Sequence, residues 1–246
     1  MRITLWLLAA AVALAQTPAK KMEFEVASIR AAQQDGDHDS ASDGNLFRTH
    51  NLTLKRMIAM AYDVDVRQIA GGPEWIDSAS YDINAKIPAE YSSHTREDIG
   101  RMLASLLADR FRLATHRETT QISGYALTVA KNGPKMELAA PGKANSHTHE
   151  SKGHLTAENV SMEQFAQRLS RNAQVDKLVM DRTGLAGRYN FELEWDVADP
   201  LGGDAASTDR PSIFTALQEH LGLKLDPAKI QVESIVVDHA EKPGAN

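Results

Sequence analysis

The sequence predicts an α+β fold of two tandem pseudo-repeats, each with two helices packed on a mixed or antiparallel sheet. Three observations lead there. Residues 52–87 and 160–195 carry matching apolar patterns at a constant separation of 108 positions. Within each copy a helical period gives way to a strand period. Each copy then continues into a further amphipathic helix followed by β-prone runs.

The elements follow in order. Thr53 precedes Leu54, Met57, Ile58 and Ala61, a spacing that puts four apolar side chains on one helical face. Ser161 precedes Met162, Phe165, Ala166 and Leu169 in the same phase, and Ser161 with Gln164 reads as a capping box. Tyr81, Ile83, Ala85 and Ile87 alternate with polar residues, as do Tyr189, Phe191, Leu193 and Trp195, the period of a half-buried strand. Between helix and strand lie β-prone runs at 64–69 and 175–180, then turns containing Gly71 and Gly72 or Gly184 and Gly187.

A second helix is expected around Ile99, Met102, Leu103, Leu106 and Leu107, introduced by Thr95. Its counterpart carries Ile213, Leu217 and Leu221 and is opened by Pro211 and Ser212. Each is followed by a predicted hairpin, 111–113 with 122–130 and 223–225 with 232–237. Leading strands are expected at 24–29 or 45–49 and at 154–156. The polar, Gly- and Pro-containing stretch 133–153 reads as a linker between halves spanning 16–132 and 154–246, and residues 33–45 and 199–209 read as low-order segments.

Composition removes several classes of function. There is no Cys among the 246 residues, which excludes disulfide scaffolds, thiol nucleophiles and Cys-ligated metal sites. The 27 Lys and Arg against 33 Asp and Glu give a net charge of −6, with no basic run of the kind that neutralises phosphates, so no nucleic-acid partner is expected. Arg2, an apolar stretch over 3–15 and the small residues Ala13 and Ala15 form a secretory signal with cleavage after Ala15. The stretch is shorter than the ~20 residues a membrane span requires. The expectation is therefore a periplasmic or secreted protein with no membrane span after signal cleavage.

Several runs carry a family resemblance: 24–30 (FEVASIR), 71–75 (GGPEW) with 81–86 (YDINAK), 106–111 (LLADRF), 181–189 (DRTGLAGRY) and 211–218 (PSIFTALQ). They are similar to the soil-associated secreted family, expanded in Acidobacteria, that is catalogued as a domain of unknown function. The resemblance covers nearly all of the mature chain and implies an exported bacterial protein, but carries no assigned reaction. Each half also resembles the small N-terminal module of secretins and TonB-dependent receptors, which implies protein binding through exposed strand edges.

Catalytic signatures are missing: there is no G-x-S-x-G, H-E-x-x-H, P-loop or G-x-G-x-x-G pattern. His147, His149, Glu150 and His154 are metal-ligand residue types, but His147 and His149 lie in the expected linker, where no second shell would orient them, and the histidines read as surface residues. Asp35, Asp37, Asp39 and Asp43 imitate a calcium loop, which fails at Ser40 and Leu46, where the turn glycine and the bidentate carboxylate should stand. His116, His220 and His239 read as packed or surface residues. No cofactor or metal is called for. The binding candidates are Gly71, Gly72 and Trp75 in one turn and Arg182, Gly184, Gly187 and Arg188 in the other, as a pocket rim with an aromatic platform and cationic anchors. Turn geometry alone also accounts for these glycines. The expected function is a non-enzymatic binding or interaction module of the cell envelope, taking an envelope protein or small ligand, with strand addition at an open sheet edge as the expected mode. The alternative is a secreted hydrolase or metal-dependent enzyme whose site carries no recognised motif.

Overall fold

The computed structural model describes residues 21–32, 37–140, 145–197 and 210–244. The signal segment, Asp35 and the 199–209 stretch lie outside these residues. The chain has the mixed α+β composition expected and divides into two compact units, residues 1–116 with 236–246 and residues 117–235.

In the first unit, β1 (Val26–Ala31), β2 (Asp39–Asp43), β3 (Leu46–Thr53), α1 (Leu54–Tyr62), β4 (Ile69–Gly71), α2 (Trp75–Ser78), β5 (Ser80–Lys86) and α3 (Arg96–Arg110) precede the start of β6 (Ala114–Val129). β1, β5, β3 and β2 form one antiparallel sheet in that order. The apolar phase selects its buried face: Phe47, Leu52, Tyr81, Ile83 and Ala85 are buried, as are Leu54, Met57 and Ile58 of α1. α1 begins where the Thr53 hydroxyl accepts from the Arg56 N–H, satisfying a donor that has no partner within the helix. α1 packs on α3, and at Gly100 the packing is tight: an added Cβ would stand 2.9 Å from the Ala61 carbonyl oxygen.

The second unit holds β7 (Glu137–Leu138), β8 (His147–Ser151), β9 (His154–Ser161), α4 (Met162–Arg171), β10 (Val179–Asp181), β11 (Arg188–Glu194), α5 (Ile213–Ala216) and most of β12 (Leu223–His239). β7, β11, β9 and β8 form an antiparallel sheet in that order. Leu155, Val160, Phe165, Leu169, Phe191 and Leu193 belong to its core, with Phe165 and Phe191 edge to face at 4.7 Å. Ser161 and Gln164 make the capping box read from the sequence. Buried Ser170 fixes the far end of α4, donating to the Ala166 carbonyl and accepting from the Val179 N–H of β10 at 2.8 Å.

Four expectations are corrected. Residues 114–129 and 223–239 are single long strands rather than hairpins, and the division between units falls within both. The polar interruption that read as a turn is a cross-strand ladder in the second unit: Arg117 meets Glu233, Thr120 meets Ser234 at 2.5 Å and Thr128 meets Asp226. Pro227 removes one ladder donor without ending β12. Half of the run 64–69 is a 3₁₀ turn, Val66–Gln68, because the Asp65 carboxylate caps it through the Arg67 N–H. The counterpart of α3 is not one α-helix: α5 passes into a π-helical turn, Leu217–Leu221. Finally, β7 and β8 occupy part of 133–153, and β2 occupies part of 33–45. β2 and β8 are exposed and polar and β7 is two residues long, so none shows the apolar alternation by which a strand is read.

One backbone device occurs in each unit. Asn51 has φ 51° and Asn159 has φ 55°, the left-handed region that Asn tolerates better than most residues. At Asn51 the β3/β5 register shifts between Thr49 and Leu52, and beside Asn159 the β9/β11 register shifts between Tyr189 and Phe191. The amide removed from the ladder finds a side chain on the facing strand instead. The Asn51 N–H donates to Asp82 Oδ1 at 2.8 Å, and the Asn159 N–H donates to Asn190 Oδ1 at 2.8 Å.

Two consequences can be measured. Asn190→Ala leaves the Asn159 amide without its acceptor and is expected to cost about 1–3 kcal/mol, read as a lower urea midpoint. An unchanged midpoint would show that the bulge does not depend on this bond. Gly100→Ala gains about 1 kcal/mol of helix propensity. Against it stands an overpacking cost of about 1–3 kcal/mol, because the obstacle is backbone. The expected outcome of thermal melting is net destabilisation.

Candidate functional site

The two turns singled out in the sequence are each held by their own unit. Gly71 and Gly72, with φ 71° and 78°, run close under Val237, whose carbonyl oxygen would stand 2.9 Å from a Cβ on Gly71. Trp75 is half-buried, stacks on Phe111 at 6.5 Å and has the Lys242 ammonium 5.9 Å from its ring centre. In the second unit Gly184 and Gly187 have φ 68° and 107°. Arg182 is exposed and donates to the Lys229 carbonyl, whereas Arg188 reaches across the bulge to the Asn159 carbonyl at 2.7 Å and to Gln164 Oε1 at 3.2 Å. Arg188 thus ties the bulge to the first turn of α4.

The histidine and acid set near β8 is divided by the pleat. His147 and His149 share one face of β8, while Glu150 turns to the other and accepts from Arg168 Nε at 3.2 Å and Asn172 Nδ2 at 3.4 Å. His154 is bonded to Glu192 at 2.7 Å. His116 pairs with Asp238 and His239 with Glu241. Among the described residues, no group of three His, Asp or Glu side chains could hold a metal ion.

A groove lies between an edge strand and a helix in each unit. In the first, a cavity of 430 Å³ is lined by His38, Asp39 and Ser40 beside and on β2, by Leu52, Arg56, Ala59 and Met60 on β3 and α1, and by Val64, Val66 and Arg96. His38 and Arg56 bridge its rim at 2.9 Å, and Arg96 is paired with Asp63 at 3.1 Å. In the second, a cavity of 160 Å³ is lined by Ser146, Thr148, Val160, Gln164, Gln167, Arg168 and Arg171. Ser146 and Gln164 meet across its rim at 3.5 Å. Each floor residue, Leu52 or Val160, follows a left-handed Asn directly, so the bulge sets the floor of the groove.

The sequence reading missed both grooves because their strand walls are polar and their helix walls lie off the apolar stripe. Two further features bear on chemistry. A 520 Å³ cleft in the second unit is lined by Glu137, Glu158, Glu192, Lys135 and His220 among others, and Lys135 is already donating to the Glu219 carbonyl. In the first unit Ser42 Oγ lies 2.6 Å from His94 Nε2, and His94 Nδ1 lies 3.2 Å from the Tyr91 carbonyl oxygen. A carbonyl only accepts, so Nδ1 carries a proton, and in the neutral ring Nε2 is then the nitrogen that accepts from the Ser42 hydroxyl.

Where the structure displaces a pKa, the cause is local. The Thr95 backbone N–H, then its hydroxyl, hold the Asp98 carboxyl below the usual range, and hydrogen bonds from Lys224 and Thr128 do so for Asp226. Burial raises the Tyr81 phenol. No helix among the described residues is long and apolar enough to cross a membrane.

Comparison with known proteins adds one positive finding. No curated protein matches the chain, and no solved structure does. A family model matches residues 55–240, which run from α1 to the first residue after β12 and include both Gly turns and the second groove. The chain belongs to the family described as "Protein of unknown function (DUF3738)".

Proposed function

We propose that this protein is an exported, non-enzymatic binding module of the cell envelope, built as a duplication, that takes an extended partner segment at the open edges β2 and β8. The observation carrying this reading is the groove that accompanies each edge. Six lining residues of the first groove, His38, Ser40, Leu52, Arg56, Ala59 and Met60, have counterparts 108 positions later in Ser146, Thr148, Val160, Gln164, Gln167 and Arg168. The residue types differ while the location relative to strand and helix is kept, which suits two grooves of one plan and different selectivity.

Other features support the duplication. The starts of β2, β3, α1 and β5 at 39, 46, 54 and 80 are followed 108 positions on by those of β8, β9, α4 and β11 at 147, 154, 162 and 188. The bulge pairs, Asn51 with Asp82 and Asn159 with Asn190, keep the same separation. An edge strand presents unpaired N–H and C=O groups, and a helix beside it supplies pockets for alternate side chains, the arrangement by which sheets recognise extended peptides. The likeness of each half to the secretin and TonB-receptor module favours the same use. Export rests on the 1–15 segment, and it accords with the resemblance to the soil-associated secreted proteins of Acidobacteria.

A second reading, a secreted hydrolase, is favoured by one observation, the Ser42 and His94 pair with its orienting carbonyl, which has the form of a nucleophile and base. Both readings are tested together. The wild-type chain and a Ser40→Pro, Thr148→Pro double variant are used as bait on envelope extract of the producing bacterium. A specific protein retained by the wild type and lost with the edge-blocked chain is the expected result. Identical retention by both, or none, would refute strand addition. A fluorophosphonate probe that labels the wild type but neither Ser42→Ala nor His94→Ala would put the hydrolase in its place.

A further inference from the structure

We infer that the groove beside β8 selects an extended peptide bearing carboxylate side chains, added as a strand to β8 with those side chains over α4. This rests on the strand-addition reading above and names the partner's chemistry.

The edge is open at defined positions. β8 and β9 are joined by the two-residue turn Lys152–Gly153, with φ 37° and 78°, so Ser151 and His154 flank it as a hydrogen-bonded pair. Such pairs alternate along an antiparallel ladder, so His149 with Thr156 and His147 with Glu158 are the next ones. Thr148 and Glu150 therefore turn their N–H and C=O groups away from β9. Among the described residues no backbone bond from another segment reaches them. A new strand would lie ~4.8 Å beyond β8, with every second side chain pointing toward α4.

Its chemistry follows from what lines that face. The groove is lined by two arginines, two glutamines, a serine, a threonine and a valine, and by no carboxylate, in a chain whose net charge is −6. Arg171 is exposed and, among the described residues, has no carboxylate within ion-pair distance. Arg168 already holds a carboxylate from β8 itself, since Glu150 sits on it at 3.2 Å with Asn172 alongside. The helix face thus binds a strand-borne carboxylate in the pleat that an incoming residue would share. The first-unit groove differs in two respects: Asp39 lines it, and both of its arginines, Arg56 and Arg96, are held, by His38 and Asp63, so it has no counterpart of Arg171. A nucleic acid would satisfy the arginines but has no peptide backbone to pair with Thr148 and Glu150.

The test is fluorescence anisotropy of the full chain with three labelled octapeptides, alternating Val-Glu, Val-Thr and Val-Lys. The Val-Glu peptide is expected to bind at least about tenfold more tightly than the Val-Lys peptide, with the difference shrinking as salt is raised. Arg171→Gln is expected to remove most of that preference while leaving the melting temperature in place, and Thr148→Pro to abolish binding of every peptide. Equal binding of all three peptides, lost in Thr148→Pro, would overturn the charge preference and leave strand addition standing. Binding of Val-Glu that survives Thr148→Pro would mean a simple anion site and overturn the inference. Failure of all three peptides to bind would overturn it together with the reading beneath it.

Discussion

A left-handed asparagine placed where a strand must become a helix is the constraint on which both grooves depend. Asn51 and Asn159 each break the ladder of a central strand one residue before the groove floor and two before the helix cap. A bulge increases local twist and re-aims the chain. The cost is an amide withdrawn from the ladder inside the protein, which the side chain of Asp82 or Asn190 offsets from the facing strand. Strand, bulge, cap and helix form one unit of geometry, with the Thr53 or Ser161 hydroxyl taking over as the strand's hydrogen bonds end. The groove is the space this turn leaves between the redirected helix and the outermost strand.

Sheet edges usually carry features that discourage pairing. β2 and β8 are short and polar, which limits indiscriminate association, yet neither contains proline and each has a helix alongside. The second groove adds a helix face that carries Arg168 and Arg171. The Ser42 and His94 pair lies at the other edge, exposed to water, where a hydroxyl and an imidazole hydrogen-bond for structural reasons as readily as for chemical ones.

Much of the architecture was legible in the residues. Leu54, Met57 and Ile58, like Met162, Phe165 and Ala166, declare their helices because burial on one face demands a 3.6-residue period. Tyr81 to Ala85 and Tyr189 to Leu193 declare their strands by alternation, and Ser161 with Gln164 declares a cap by local chemistry. The strands β2, β7 and β8 were not legible, because an exposed edge has no buried face and hence no apolar rhythm. The long strands β6 and β12 were broken in the reading for the related reason that Arg117, Thr120 and Asp226 pair across strands, and cross-strand partners are not encoded in local order.

Local periodicity and composition were enough to specify the mixed α+β class, the phase of the main helices and strands, the lack of thiol chemistry and the lack of familiar catalytic motifs. The folded chain adds that Arg168 and Arg171 line a groove beside an edge strand, that Glu150 sits on the first of them, and that two buried asparagines find acceptors for their amides 31 residues away in sequence. Those are meetings between distant segments, fixed by how the chain folds back on itself, and neither periodicity nor composition records them.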